Sequence, residues 1–492
     1  MKFRKLGFTL SAISVVLAAS GCASFTPDAV TQVAAVAPAS WQAPRPHQGS
    51  TTDLTQWWLR LDDPLLPRLI AAAQEASPSV SAAKSRIEQS RAARVAAGAA
   101  LTPTLNAQGS ALRAAEGAAS PVTSIAAGFN AAWEIDVFGG ASAGRDAAQA
   151  RLAGSEMLWH DARVSVAAEV ATQYTFLRAC EATLVQVQLD AASRAETARL
   201  TDLTAKAGFS APALAALSRA SAAQGNSQLT QQRALCDGAV KGLVSLTAAD
   251  EAALRTQLNT ASGVMAQPAQ IVIPQVPAAL LRQRPDLGNA ERELLAASAD
   301  IRQAQAARLP RIALNGNIGA ARITAGGFTN ADSTWSLGPI SVSLPLFDGG
   351  TRQAQVTAAQ ARHTDATVQY NAKLRAAVRE VEDALIALQS TADRSGDAQV
   401  ATEGFTASLR ATDARYKGGL ATLFELEDAR RSAVQAQTAL IELQRERVTA
   451  WIALYRALGG GWSADAPTLA TAAPNTVPLG PTPFGLSLSK PR

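Results

Sequence analysis

The chain has 492 residues, of which 48% are hydrophobic, 17% charged and only 5% aromatic, and its composition does not change partway along. The formal charge of +5 is set largely by the first 21 residues, which hold three basic residues and no acid, so the remainder carries 42 basic against 40 acidic residues. That near balance removes the electrostatic argument for a nucleic-acid partner, and the alanine-rich mixture favours long helices packed on small side chains.

Lys2, Arg4 and Lys5 followed by an apolar run from Leu6 to Ala19 predict a signal peptide over residues 1–21. The run closes on Ala19-Ser20-Gly21-Cys22. Small residues before a cysteine, directly after an apolar core, resemble the lipobox of bacterial lipoproteins. The resemblance implies that Cys22 becomes the acylated first residue of the mature chain, ahead of a linker over 22–56. The alternative is an ordinary cleaved signal with an incidental cysteine. Each buried acyl CH₂ contributes roughly 0.8 kcal/mol, so such an anchor is effectively permanent. Beyond Cys22 no apolar stretch reaches the roughly 18 residues of a transmembrane helix, and a membrane crossing would require a closed β-barrel.

The rest of the chain reads as one unit written twice, over residues 57–260 and 261–462. Pro78 and Pro103 are 25 residues apart, as are Pro285 and Pro310, at an offset of 207 between copies. An Ala/Arg/Glu/Gln-rich helical stretch fills each interval. Period-two alternation follows, as in Ile312, Leu314 and Ile318 against Arg311, Ala313, Asn315 and Asn317. A second strand comes in each copy, through Phe129, Ala131, Trp133, Ile135 and Val137, and through Ile340, Val342, Leu344 and Leu346. The strand pairs occupy 103–138 and 310–347. Segments 114–124 and 324–333, rich in Gly, Ser and Ala, are expected as exposed loops between paired strands. Pro339 predicts a bulge or a late start in the last strand. Phe129, Trp133, Ile312 and Ile340 are expected on lipid-facing surfaces, with Trp133 at an interface.

Each copy then carries a proline-free helix, from about Ala141 to Lys206 and from about Thr351 to Lys417. At 1.5 Å per residue each is about 100 Å long. Turns follow at Lys206-Ala207-Gly208-Phe209-Ser210 and Lys417-Gly418-Gly419-Leu420-Ala421, offset by 211, and the hairpins span 141–246 and 351–458. Apolar residues near heptad spacing, such as Val170, Leu177 and Leu184, call for coiled-coil neighbours. Four strands are too few to close around a lumen, so the sheet implies oligomerisation. The Pro/Ala/Thr-rich tail 463–492 is expected to be disordered.

Five blocks, in this order, resemble the TolC/OprM-type outer-membrane efflux proteins, in their NodT-like lipoprotein branch. They are Trp57-Trp58 with Asp63-Pro64-Leu65; Trp133-Glu134-Ile135-Asp136-Val137-Phe138-Gly139; Leu281 to Leu287 with Ala290 to Leu294; Pro345 to Gly350; and Leu454 to Trp462. The first copy lacks an Arg284-Pro285-Asp286 counterpart, and no role is transferred there. The resemblance implies a mixed, mainly α fold: a homotrimer whose outer-membrane β-barrel, four strands per chain, continues into a periplasmic α-helical barrel. It implies an exit duct for drugs or other small molecules, fed by a periplasmic adaptor protein and an inner-membrane pump, of RND type first, with outer-membrane lipid around the barrel. Two other readings are the adaptor lipoprotein of such a pump and the outer-membrane factor of a type I secretion system. The adaptor would need β-rich domains flanking a single hairpin, and this chain has two.

The same resemblance implies a periplasmic gate at Leu409 and Asp413, four residues apart and so on one helix face. Three copies of Asp413 would form a negative ring and three of Leu409 an apolar plug. Asp202 is the first-copy equivalent, expected nearer the tip surface than the lumen. The alternative is a solvated carboxylate. Adaptor docking is expected at the tips, on Gly208, Phe209, Gly418, Gly419 and Leu420, although those glycines equally serve the turns themselves. Cys180 and Cys236 each lie 28 residues from Gly208, hence opposite one another in an antiparallel hairpin, and a disulfide is expected there in an oxidising compartment, against two buried thiols. His47, His160 and His363 are far apart and lack metal-ligand spacing, so no enzyme, cofactor or metal is expected.

Overall fold

The computed structural model describes residues 63–115, 121–265 and 283–461. The signal peptide, Cys22, the 22–56 linker, Trp57-Trp58, Leu281-Arg282, Trp462 and the 463–492 tail lie outside the described residues.

The first series of elements is α1 (Leu65–Ala76), α2 (Pro78–Ala99), β1 (Thr104–Ala114), β2 (Val122–Ile135), α3 (Gly140–Lys206), α4 (Pro212–Thr247) and the short α5 (Glu251–Leu258). The second is α6 (Pro285–Ala306), β3 (Arg311–Ala325), β4 (Phe328–Ser343), α7 (Thr351–Lys417) and α8 (Leu423–Ala457). Helices α2 and α6 are both 22 residues long and both open on proline in the first turn, where a missing N–H costs nothing. Ser77 adds a side-chain cap to α2. Helices α3 and α7 are both 67 residues, about 100 Å.

The returning helices are 36 and 35 residues, roughly half as long as their partners. The other half of α3 is lined by α2, where Ser90 and Ser155 hydroxyls lie 2.7 Å apart, and by α6, where Ala147 packs on Ala296 and Ala299. Helix α6 also reaches α7 through Leu287, Leu374 and Ala377. Alanines at these contacts let the backbones approach closely, which explains their abundance.

The main core is a belt at the middle of the long helices. Val170, Tyr174 and Leu177 of α3 share this belt with Val381, Leu385 and Leu388 of α7, their counterparts at the same offset of 211. Val240 and Leu243 of α4 have Trp451 and Leu454 of α8 as their counterparts, again 211 residues on. Each large apolar side chain buried here contributes about 1.5–3 kcal/mol. Helices α1 and α5 close the belt with Leu66, Leu69, Leu254 and Leu258.

The four strands form one antiparallel sheet in the order β1-β2-β3-β4, so β1 and β4 are its edges. The exposed loops expected at 114–124 and 324–333 are in part strand. Residues 324–333 are not a loop: β3 runs to Ala325 and β4 starts at Phe328, joined by Gly326 and Gly327 at φ +56° and +84°. A two-residue turn with both φ positive matches strand twist, and glycine adopts it freely; the polar composition around it is that of a solvated strand end. Likewise Ala114 and residues 122–124 belong to β1 and β2. Pro339 sits where the β3–β4 register shifts, Leu314 pairing with Ile340 but Gly316 with Leu337. The bulge holds rather than the late start.

Candidate functional site: a two-faced sheet and two helical tips

Cross-strand partners share a face. One row runs Asn106–Asn130–Asn317–Ser336 across all four strands, and the next on that face runs Gln108–Gly128–Gly319–Thr334. The amide of Asn317 donates to Ser336 Oγ at 2.9 Å. The opposite face carries Ala107–Phe129–Ile318–Trp335 and, nearer the helices, Trp133–Leu314–Ile340. Phe129, Trp133, Ile312 and Ile340 thus share one face, as expected. No part of the described chain covers it: Trp335 is 78% exposed and Ile318 61%. Trp133 Nε1 donates to the Leu101 carbonyl at 3.1 Å, pinning the indole to the helical end of the sheet. The bulge at Pro339 keeps Ile340 and Val342 on the apolar face with Leu337.

Both passages from strand to long helix use an aspartate. Asp136 accepts the N–H groups of Ala141 (3.0 Å) and Ser142 (2.8 Å), and Asp348 those of Gly350 (3.0 Å) and Arg352 (3.1 Å). Burial pushes the Asp136 carboxyl up, but the N–H groups of Ser142 and Ala141 outweigh it and hold it below the ordinary value. The Arg352 N–H does the same for Asp348. A carboxylate here satisfies orphan donors at the positive end of the helix.

At the far end, α3 closes on Gly208 at φ +80°, with Phe209 N donating to the Thr204 carbonyl at 2.9 Å. Helix α7 closes in the same way on Gly419 at φ +74°, with Leu420 N bonded to Arg415 O at 2.8 Å. This six-to-one closure requires a left-handed residue, and glycine takes it without a Cβ penalty. Gly418, at φ −85°, needs no such freedom. Phe209 and Leu420, equivalent in the two tips, are 86% and 74% exposed. Thr422 and Glu425 start α8 with a reciprocal capping box.

Leu409 and Asp413 are half-buried and one turn apart on α7. Asp413 pairs with Lys417 Nζ at 2.6 Å, and Asp202 pairs with Lys206 at the same distance in the first tip. Lys206 holds the Asp202 carboxyl below its ordinary value. The acidic position therefore carries a flexible lysine beside it, an exposed pair that adds little to stability.

A polar network sits between the tips and the core belt. Arg194 of α3 binds Asp190 (2.6 Å), Ser221 of α4 (2.8 Å) and Glu427 of α8 (3.1 Å). Arg430 binds Glu427 (2.7 Å) and Thr197 Oγ1 (2.8 Å), and is itself buried. The two hairpins are tied here through α8; the last buried residue of α7 is Thr391, and beyond it Tyr416 Oη lies 3.4 Å from Thr201 Oγ1 of α3. Deeper in hairpin one, Cys180 and Cys236 are joined in a disulfide with Cα atoms 5.5 Å apart.

Two further arginines, Arg178 and Arg284, are buried without a sign of it in the sequence. Arg178 donates to Tyr174 Oη (2.8 Å), Glu181 (2.8 Å) and the Leu258 carbonyl (3.0 Å), and Tyr174 in turn donates to Asp63. Arg284 pairs with Asp286 (2.8 Å) and Glu380 (2.7 Å) and donates to the last turn of α8 at Ala457 O (2.9 Å).

A two-faced sheet joined to helices of this length has close relatives. The family described as outer membrane efflux protein matches residues 69–249 and 276–460. The chain belongs to the outer membrane efflux protein family. It is 30% identical over 473 residues to the outer membrane protein OprJ of Pseudomonas aeruginosa, covering 93% of this chain and 97% of that protein. It is 30% identical over 445 residues to the pyoverdine export outer membrane protein OpmQ of Pseudomonas putida, covering 88% and 93%. Its fold matches the crystal structure of a membrane protein from Pseudomonas aeruginosa at a TM-score of 0.79 and 28% identity, over 86% of this chain and 97% of that one. This efflux protein is an outer-membrane channel that extends into the periplasm and is not an enzyme. The structure places the expected docking residues of this channel together at two tips. Leu409 and Asp413 lie one to two turns above the second tip.

Proposed function

We propose that three copies of this chain close their sheets into one barrel and their hairpins into one helical tunnel, forming the exit duct of a tripartite pump. The observation that carries this is the sheet itself. It has an apolar face, a polar face and two open edges, and open edges in lipid leave backbone groups unpaired at several kcal/mol each. Chains joined β4 to β1 remove both edges, and three supply the twelve strands that leave a wet lumen. The polar rows then face inward. The repeated element series, the core pairs at offset 211 and the two family matches support an ancestral duplication.

Cargo is read as small molecules, in keeping with the pyoverdine export named for OpmQ. It is delivered by an inner-membrane pump of RND type through a periplasmic adaptor, and the adaptor seats on Phe209 and Leu420. Leu409 and Asp413 serve as the periplasmic constriction, Cys22 carries the acyl chains, and Cys180–Cys236 is oxidised in the periplasm. Native mass spectrometry of the full chain extracted from outer membranes tests the assembly and the anchor together. A trimer of acylated chains is expected; a monomer, or a chain processed without lipid, counts against the respective half of the reading.

A further inference from the structure

The two faces of the sheet exchange character at the end away from the helices. There the outward face, apolar below, carries the row Arg113–Thr123–Thr324–Thr329, with Arg322 in the row beneath. Arg113 and Arg322 are the charged side chains of that face among the described strand residues. The carboxylates of the sheet, Glu134 and Asp332, lie on the inner face.

The lowest outward row is Ile135–Ile312–Val342, and Arg322 is paired with Ile125, ten residues higher on β2. At about 3.3 Å per residue and a tilt of about 40°, that is about 25 Å along the membrane normal, the height of the apolar band of an outer-membrane barrel. Arg322 thus sits at the outer boundary of the hydrocarbon, and Arg113, one row further along and two strands away, lies in the same boundary zone. With one strand between them, the two Cα atoms are about 12 Å apart, close enough for both guanidiniums to address one headgroup. The opposite rim has no counterpart: its outward row is Ile135–Ile312–Val342 with Trp133 above.

Resting on the barrel reading above, we propose that Arg113 and Arg322, with the hydroxyls of Thr123, Thr324 and Thr329, bind the phosphates of an outer-leaflet glycolipid. Guanidinium forks match phosphate oxygens in a bidentate way, and threonine hydroxyls donate to those left over. Thr324 and Thr329 already lie with their hydroxyls 3.1 Å apart on this shelf. An arginine facing lipid at mid-bilayer is costly, whereas at this height the cost vanishes and the charge has an anion to meet.

Native mass spectrometry of the full-length assembly tests this, with a bisphosphorylated diglucosamine lipid, its dephosphorylated form and phosphatidylglycerol added in turn. The wild type is expected to retain the bisphosphorylated lipid and to release the dephosphorylated form. Retention should fall about tenfold for each of R113Q and R322Q, and stay unchanged in R311Q, whose charge faces inward. Equal retention by R113Q/R322Q, equal binding of the dephosphorylated form, or equally tight phosphatidylglycerol would overturn the assignment. Planar-bilayer conductance of the same preparations, expected to be unaltered, reports on the duct independently of the lipid.

Discussion

At Arg284 a single side chain joins three elements: the start of α6, the middle of α7 through Glu380, and the last turn of α8. Removing one partner of a buried ion pair leaves an uncompensated charge, so Arg284→Ala is expected to lower stability by about 3–5 kcal/mol, read by denaturant titration. Burial pushes the Asp286 carboxyl up, but Arg284 outweighs it and holds it below the unfolded value of 3.8. A depressed carboxylate stabilises the fold in full above that value and loses its contribution as pH falls through the folded one. Asp286→Asn should therefore flatten the acid limb of the stability profile below about pH 4. Nothing in the sequence exposes this cluster. The motif Arg284-Pro285-Asp286 is visible, but Glu380 and Ala457 lie 96 and 173 residues away. For the same reason the sequence does not mark Arg194, Glu427 and Arg430, whose partners meet only where α3, α4 and α8 lie side by side.

Among the elements, what was legible followed from local rules and from symmetry about a turn. Proline-free runs gave both 67-residue helices nearly to the residue, because nothing in them breaks a helix. Equal distance from Gly208 placed Cys180 opposite Cys236, since an antiparallel hairpin pairs equidistant positions. A non-reducing peptide map of mature protein should show these two peptides linked; two free thiols would contradict it. Replacing both by serine should lower stability by about 2–4 kcal/mol, as thermal unfolding would report. The β3–β4 turn is hidden by the loop-like composition of 324–333, although two adjacent glycines permit the left-handed pair that a tight hairpin needs. The capping box of Thr422 and Glu425 is equally legible, as a Thr with Glu three residues on at the start of a helix. At the tips, Phe209→Ser with Leu420→Ser should weaken cross-linking to the adaptor and raise drug susceptibility, while the assembled channel stays intact.

For the whole molecule, one chain is an incomplete object. Its core belt is closed by its own helices, but the apolar sheet face and the edges β1 and β4 have no partner within the described chain. The sequence pattern already carried that incompleteness, as four amphipathic strands beside 100 Å helices; the number of copies came from resemblance, because no spacing within a chain encodes it. Hairpin two is tied to hairpin one through Glu427 and Arg430, while α7 beyond Thr391 has no buried side chain. The segment bearing Leu409 and Asp413 is therefore held by surface bonds such as Thr402 to the Ala436 carbonyl and Tyr416 to Thr201, not by buried side chains, which suits the constriction proposed there.

The most direct test of the duct is ion current through planar bilayers containing wild type and Asp413→Ala, measured across a salt gradient. The expected result is a channel in both, with the wild type favouring cations and the variant losing part of that preference, because a ring of carboxylates at the narrow end selects by charge. No conductance in either protein would contradict the account.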